Sequence, residues 1–165
     1  LSRQTERYPV PSANSLWHIY KTVPFWKVIR NFTVIQLARY TPWLRLKNRL
    51  YRHGLGMKIG DETAVALMVM MDIMFPERIK IGRNSVIGYN TTLLAHEYLI
   101  KEYRLGDIVI GDEVMIGANT TILPGVTIGD GAIVSACTLV HRDVEPYTFV
   151  GGNPMQVIKQ LPKPE

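Results

Sequence analysis

A chain of 165 residues with 47% hydrophobic, 20% charged and 9% aromatic residues has room for one packed domain with an added arm, and its composition excludes wholesale disorder. Its longest unbroken apolar run, Ala64 to Met71, is eight residues against the roughly 18 of a membrane-spanning helix, which argues against a span. The net charge of +5 divides unevenly: residues 1–58 hold eleven basic groups against the single acid Glu6, a balance of +10, while residues 59–165 carry −5, so the two parts face different surroundings or each other.

From Ser15 to Leu55 the pattern is helical and is interrupted by Pro24 and Pro42, which predicts three short helices. Between the prolines Phe25, Val28, Ile29, Phe32 and Ile35 approximate a 3.6 period, with Trp26, Val34 and Leu37 as extra apolar positions that leave the face ragged. The last piece, Trp43 to Arg52, mixes aliphatic residues with Arg45, Lys47, Arg49 and Arg52 and ends at Gly54 and Gly56. We read residues 1–58 as a basic helical arm that caps a core or meets partner subunits, with peripheral membrane contact as the competing use. Its mixture of tryptophan, phenylalanine and aliphatic residues does not fit a nucleic-acid-binding arm.

From Ile59 the period becomes six, which neither a helix nor a simple strand produces. Aliphatic residues recur at Ile81, Ile87, Leu93 and Leu99, then in a second register at Ile110, Ile116, Ile122, Ile128, Val134 and Val140. Gly follows at Gly82, Gly88, Gly111, Gly117 and Gly129, where it would serve tight corners. The signatures Ile59-Gly60, Ile81-Gly82, Ile110-Gly111 and Ile128-Gly129 are spaced 22, 29 and 18 residues apart. Eighteen residues make one coil of three short strands, and the surplus of four and eleven residues falls at corners. This predicts an all-β solenoid of about four coils over residues 59–150, stacked roughly 4.8 Å apart as parallel strands. The solenoid is followed by a short C-terminal helix or tail over 151–165. Such a short solenoid has open ends that need a cap or partners.

The hexads Ile110-Gly111-Asp112-Glu113-Val114-Met115-Ile116-Gly117-Ala118, the segment Ile122-Leu123-Pro124-Gly125-Val126 and the run Gly152-Asn153-Pro154 resemble the hexapeptide-repeat acetyltransferases, the family of maltose, galactoside, serine and xenobiotic acetyltransferases. The resemblance implies a left-handed parallel β-helix, a homotrimer with active sites between neighbouring prisms, and transfer of an acetyl group from acetyl-coenzyme A to an acceptor hydroxyl. The arm's final stretch, Leu46 to Ile59, resembles the helical lead-in of acetyltransferases acting on cell-surface polysaccharides or their lipid-linked precursors, which implies a sugar hydroxyl or a polysaccharide precursor as acceptor. By the resemblance of the hexads the family's essential histidine maps to His96, a general base for direct attack on the thioester. Ala118 and Ala136 would lie along the pantetheine arm, and His141, Arg142 and Lys159 near the adenosine and phosphates. The chain departs from the family at Met115, in place of the usual Trp, and at Cys137 and Gln156.

Asp72 lies 24 residues before His96, close to the 22-residue coil spacing, so stacking would bring its carboxylate to the imidazole. Asp72, Glu97 and Tyr98 are each candidates to orient His96 or to bind an acceptor hydroxyl. The insertion from Glu97 to Asp107 is expected to project as a loop over the cleft. Cys137 is read as a small core residue and the cluster of Met68, Met70, Met71 and Met74 as core and subunit packing. The four histidines show no close pair, which argues against a metal site. The alternative to an enzyme is a non-catalytic trimeric scaffold with a basic membrane- or partner-binding arm. The lone cysteine, and a start, Leu1 to Val10, without the apolar stretch of a signal peptide, predict a reducing, cytoplasmic setting.

Overall fold

The computed structural model describes residues 3–164. The arm begins with strand β1 (Glu6–Pro9), followed by a 3-10 turn over Ser15–His18 that runs into α1 (Ile19–Thr22). After it come α2 (Phe25–Tyr40) and α3 (Leu44–Arg49), the latter continuing as a π turn over Leu50–Gly54. Pro24 immediately precedes α2 and Pro42 separates α2 from α3, the two places where a ring without an N–H forces a restart. The helices form where expected, although α2 has 16 residues and is not short. Strand β1 carries no signal in its own sequence; it exists because a partner strand lies beside it.

The body is built coil by coil. The first coil supplies β2 (Lys58–Ile59) and β3 (Ala64–Val65), and the second β4 (Ile79–Ile81), β5 (Val86–Ile87) and β6 (Thr92–Leu93). The eleven-residue surplus then folds as a hairpin of β7 (His96–Tyr98) and β8 (Glu102–Leu105), onto which β1 adds as a third, antiparallel strand. The third coil gives β9 (Ile108–Ile110), β10 (Met115–Ile116) and β11 (Thr121–Ile122), and the fourth β12 (Thr127–Ile128), β13 (Ile133–Val134) and β14 (Leu139–Val140). The described chain ends with β15 (Thr148–Gly151) and β16 (Gln156–Gln160).

Each coil pairs in parallel with the next, giving one face of β2, β4, β9 and β12, a second of β3, β5, β10, β13 and β15, and a third of β6, β11 and β14 that Met70 extends through a bridge to Thr92. The six-residue period thereby becomes vertical ladders of buried side chains: Ile59, Ile81, Ile110 and Ile128 on the first face, Val65, Ile87, Ile116, Val134 and Val150 on the second, Leu93, Ile122 and Val140 on the third. Each contributes roughly 1.5–3 kcal/mol by leaving water. Leu99 is the exception among the periodic positions. It lies in the turn between β7 and β8 and is exposed, because the insertion leaves the solenoid before the next inward position is reached.

The repeated glycines serve close approach and not the corners. A Cβ on Gly117 would collide with the backbone of Ala136 in the next coil, and one on Gly111 with Asp130. The corners themselves are turned two residues later, by residues with positive φ: Glu62, Asn84 and Glu113 at one edge, Met68, Asn90, Asn119 and Cys137 at another. Asparagine recurs there because its short polar side chain tolerates the left-handed region. Cys137 is therefore an exposed corner residue, not a core filler; the left-handed backbone turns its side chain outward.

The open top of the solenoid shows why the arm is needed. In the second coil the carbonyls of Ile81, Ser85 and Ile87 accept the N–H groups of Gly60, Ala64 and Ala66. The equivalent carbonyls of the first coil, Ile59, Thr63 and Val65, have no coil above them. Side chains of α3 and the π turn replace it: Arg52 donates to Ile59 at 2.8 Å, Asn48 to Thr63 at 2.7 Å, and the buried Lys47 to Val65 and Ala66, each at 3.0 Å. Ile35, Ala38, Tyr51, Leu55 and Met57 close the core from the same side. At the other end the expected C-terminal helix does not form. Gln156–Gln160 is strand β16, antiparallel to β15, since the seven residues between Pro154 and Pro162 are too few for a stable helix and the β-branched Val157 and Ile158 suit a sheet edge.

Candidate active site

Two distant chain segments meet where the second coil gives way to the hairpin. The pairing of Met70 with Thr92 sets an offset of 22 residues, so Asp72 stands over the strand leading to His96, the first residue of β7. The Asp72 carboxylate, completely buried, uses Oδ1 to accept the N–H groups of Met74 and Phe75, both at 2.8 Å, and Oδ2 to accept that of Ala95 at 2.6 Å. The same Oδ2 lies 2.6 Å from His96 Nδ1. An acceptor already serving three amides requires a proton on Nδ1, so His96 donates there, and the lone pair of the neutral imidazole is then the one on Nε2. The histidine side chain is 17% exposed, open on one side.

Aromatic rings and the arm wall this pair. Phe75 meets the imidazole edge-on with centroids 6.1 Å apart, and Tyr98 lies 4.9 Å away on the same face of β7. Tyr98 in turn contacts Tyr103 of β8, which stacks on Tyr8 of β1. The hydroxyls of Tyr98 and Thr22 are 2.8 Å apart; Thr22 donates to the Ile19 carbonyl, so Tyr98 is the donor between them. Burial pushes the Tyr98 phenol above its ordinary value, which keeps that proton in place. From α2, Lys27 lies over the Phe75 ring and pairs with Glu77, and Asn31 donates to the Ile73 carbonyl at 2.8 Å. Sequence reasoning missed this contribution of Thr22, Asn31, Phe75 and Tyr103, for which no motif or spacing gave a signal.

The three acceptor-side candidates do not converge equally. Asp72 and Tyr98 reach His96. Alternation along β7 turns Glu97 to the opposite face of the hairpin, where Arg3 binds it at 3.0 Å and Arg104 stands 4.0 Å away. The expected projecting loop is thus an ordered hairpin strapped by β1.

The coenzyme-side candidates form a separate group. Ala118 and Ala136 stack at one corner of the third and fourth coils, the Ala118 carbonyl accepting the Cys137 N–H at 2.8 Å. His141 Nδ1 donates to the Leu139 carbonyl at 3.2 Å and Arg142 reaches the Met155 carbonyl at 3.4 Å. Arg142 also lines a small cavity of about 160 Å³ with Met155, Val157 and Gln160. Lys159 is exposed on β16, opposite Phe149. Neither Arg142 nor Lys159 pairs with a carboxylate among the described residues, so both charges are available to an anion. Among those residues no group of three or more His, Cys, Asp or Glu is placed to hold a metal ion.

Comparison with known proteins gives a consistent picture. Residues 107–142 match the bacterial transferase hexapeptide (six repeats) family. The chain is 69% identical to the candidate acetyltransferase YvoF of Bacillus subtilis (strain 168) over 94% of its own length and 91% of that protein. Among solved structures it superposes on a hexapeptide-repeat acetyltransferase of Vibrio cholerae O1 biovar eltor, VCA0836, complexed with acetyl-coenzyme A, with a TM-score of 0.71 and 26% identity, covering 84% of this chain and 88% of that one. A maltose O-acetyltransferase from Clostridium difficile 630, 20% identical with a TM-score of 0.62 over 84% of this chain and 90% of that one, shares the fold.

Proposed function

The chain belongs to the hexapeptide-repeat acetyltransferases, left-handed β-helix enzymes that use acetyl-coenzyme A, and from that premise we propose that it acetylates a hydroxyl of a saccharide acceptor with His96 as general base. The observation that carries this reading is the His96 to Asp72 contact at 2.6 Å, made by a carboxylate whose other acceptor sites are filled by backbone amides. An alcohol is a weak nucleophile at neutral pH, and an imidazole with a free Nε2 lone pair takes its proton as the oxygen attacks. Asp72 holds the tautomer and stabilises the imidazolium that forms. The proton then returns to the leaving sulfur as the C–S bond breaks, so no acyl-enzyme is needed.

The coenzyme, when bound, supplies the activated acetyl thioester. Ala118 and Ala136 suit a narrow pantetheine arm because neither projects beyond Cβ, and Arg142 and Lys159 offer cations to phosphates, with His141 beside them. Tyr98, with its ring 4.9 Å from the imidazole, is the residue we assign to the acceptor side. A scaffold without catalysis would use Asp72 for the three backbone amides it accepts, but has no need of the imidazole 2.6 Å from the same carboxylate.

The test is thiol release from acetyl-coenzyme A with sugars, amino sugars, serine and chloramphenicol-type alcohols as acceptors. His96→Ala is expected to lower kcat by about 10²- to 10⁴-fold while coenzyme binding persists. Activity near that of the unaltered protein would overturn the assignment.

A further inference from the structure

The arm carries all three tryptophans of the chain, and each stands in solvent: Trp17 is 79% exposed, Trp26 76% and Trp43 69%. On α2 the buried side is narrow and partly polar, formed by Asn31, Ile35 and Ala38. The outward side holds Phe25, Trp26, Ile29, Phe32, Leu37 and Tyr40, all exposed. At 3.6 residues per turn these six fall within one arc of roughly 140°, so the more apolar side of the helix is the one that the fold leaves uncovered. The raggedness of the hydrophobic pattern in α2 is explained by this: the helix has two apolar faces, and the solenoid uses only one. A contiguous exposed aromatic face of this kind marks an interaction surface.

Charge decides the partner. The arm's single acid, Glu6, is occupied by Arg78, whereas Lys21, Arg30, Arg45 and Arg49 are exposed and pair with no carboxylate among the described residues. Tryptophan and tyrosine rings favour the headgroup layer of a bilayer, and lysine and arginine on the flanks of such a face are attracted to anionic lipid. A second copy of this chain fits less well, since most of its carboxylates are engaged within their own subunit, including Asp61, Glu77, Glu97, Glu102, Asp107 and Asp112. We infer that the outward face of α1 to α3 docks on an anionic bilayer surface. No helix among the described residues is long and apolar enough to cross a membrane, so the arm lies on the surface. The inner side of α2 holds Ile73, next to Asp72, which brings a docked bilayer to within about one helix diameter, 10–12 Å, of the segment bearing the dyad. If the acetyl-transfer reading holds, the acceptor is one displayed at a membrane, but the docking stands without it.

The experiment is co-sedimentation of the full chain with phosphatidylcholine vesicles, with and without roughly one third phosphatidylglycerol, at low and high salt. It is read alongside tryptophan fluorescence and needs no acceptor or coenzyme. Two variants change exposed residues only: Trp26→Ser with Phe32→Ser, and Arg45→Glu with Arg49→Glu. Binding is expected only to the anionic vesicles, with a blue shift in emission and salt sensitivity, and each variant is expected to bind at least about tenfold more weakly. Failure of the unaltered protein to bind anionic vesicles overturns the inference, as does binding that neither variant weakens. A Trp26→Ser, Phe32→Ser protein that folds but drops to a smaller oligomer also overturns it, by assigning the face to a second copy.

Discussion

Four hydrogen bonds converge on the carboxylate of Asp72, three from backbone amides and one from His96, and that count determines what a substitution does. Asp72→Asn keeps the shape but brings an NH2 group against donors, so at least one amide loses its acceptor. The expected result is a fall in kcat with little change in KM, together with a stability loss of about 2–4 kcal/mol by denaturant titration. At Cys137 the expectation runs the other way. Its left-handed backbone is the conformation that Asn90 and Asn119 adopt at the same corner of the preceding coils, so Cys137→Asn is expected to raise stability by up to about 1 kcal/mol, seen as a higher Tm. Its thiol is expected to react with a thiol reagent in the folded protein. Asp72 is legible in the sequence by its spacing from His96, whereas the exposed corner position of Cys137 is not, because its backbone conformation is invisible in composition.

The arm's helices and the first coil form one capped unit, and α3 supplies its polar half. Lys47→Met leaves the Val65 and Ala66 carbonyls without a donor and is expected to cost about 1–3 kcal/mol at neutral pH. Burial pushes the Lys47 ammonium below its ordinary value of 10.5. The unfolded chain therefore retains this proton where the folded chain has lost it, so the Lys47 contribution to stability rises as pH climbs toward 10.5 and is lost as pH falls through the lowered value. Lys47→Met is expected to flatten that rise in a pH series of denaturation curves. Helices α2 and α3 were legible through their prolines and basic periodicity, whereas β1 and β16 were not. Both are edge strands whose state depends on a neighbour's unpaired backbone, and neither alternates clearly enough to announce itself.

Across the whole molecule the second face of the prism has an apolar exterior as well as an apolar interior. Ala64, Val86, Met115, Ile133 and Phe149 stack in register on its outside, with Val86 and Met115 exposed, while the first face presents Lys58, Lys80, Val109 and Thr127 at the same level. An apolar row of this kind is suited to burial between prisms, and we propose that the working unit is a homotrimer assembled through it. Met115→Glu is expected to shift the protein to monomer in light scattering after size exclusion, with the far-ultraviolet circular dichroism of the fold retained. An unchanged mass would remove this row from the interface. The opposed charges of arm and solenoid, +10 and −5 in the sequence, are partly spent within one chain, through Arg3 with Glu97, Lys27 with Glu77 and Arg52 with Asp61.

The six-residue period by itself determined the solenoid, the number of coils, the inward ladders and the place of the insertion, because burial on three flat faces imposes that period on the chain and little else does. The resemblance carried by residues 110–126 and 152–154 pointed to His96 and the hand of the coil. Tertiary structure alone decided which neighbours surround His96, that Glu97 turns away, that Leu99 and Cys137 lie outside the core, and that side chains of α3 and the π turn finish the carbonyl row of the first coil. These outcomes depend on groups far apart in the chain meeting at a corner or an open edge, where an unpaired carbonyl takes whichever donor the fold brings within reach.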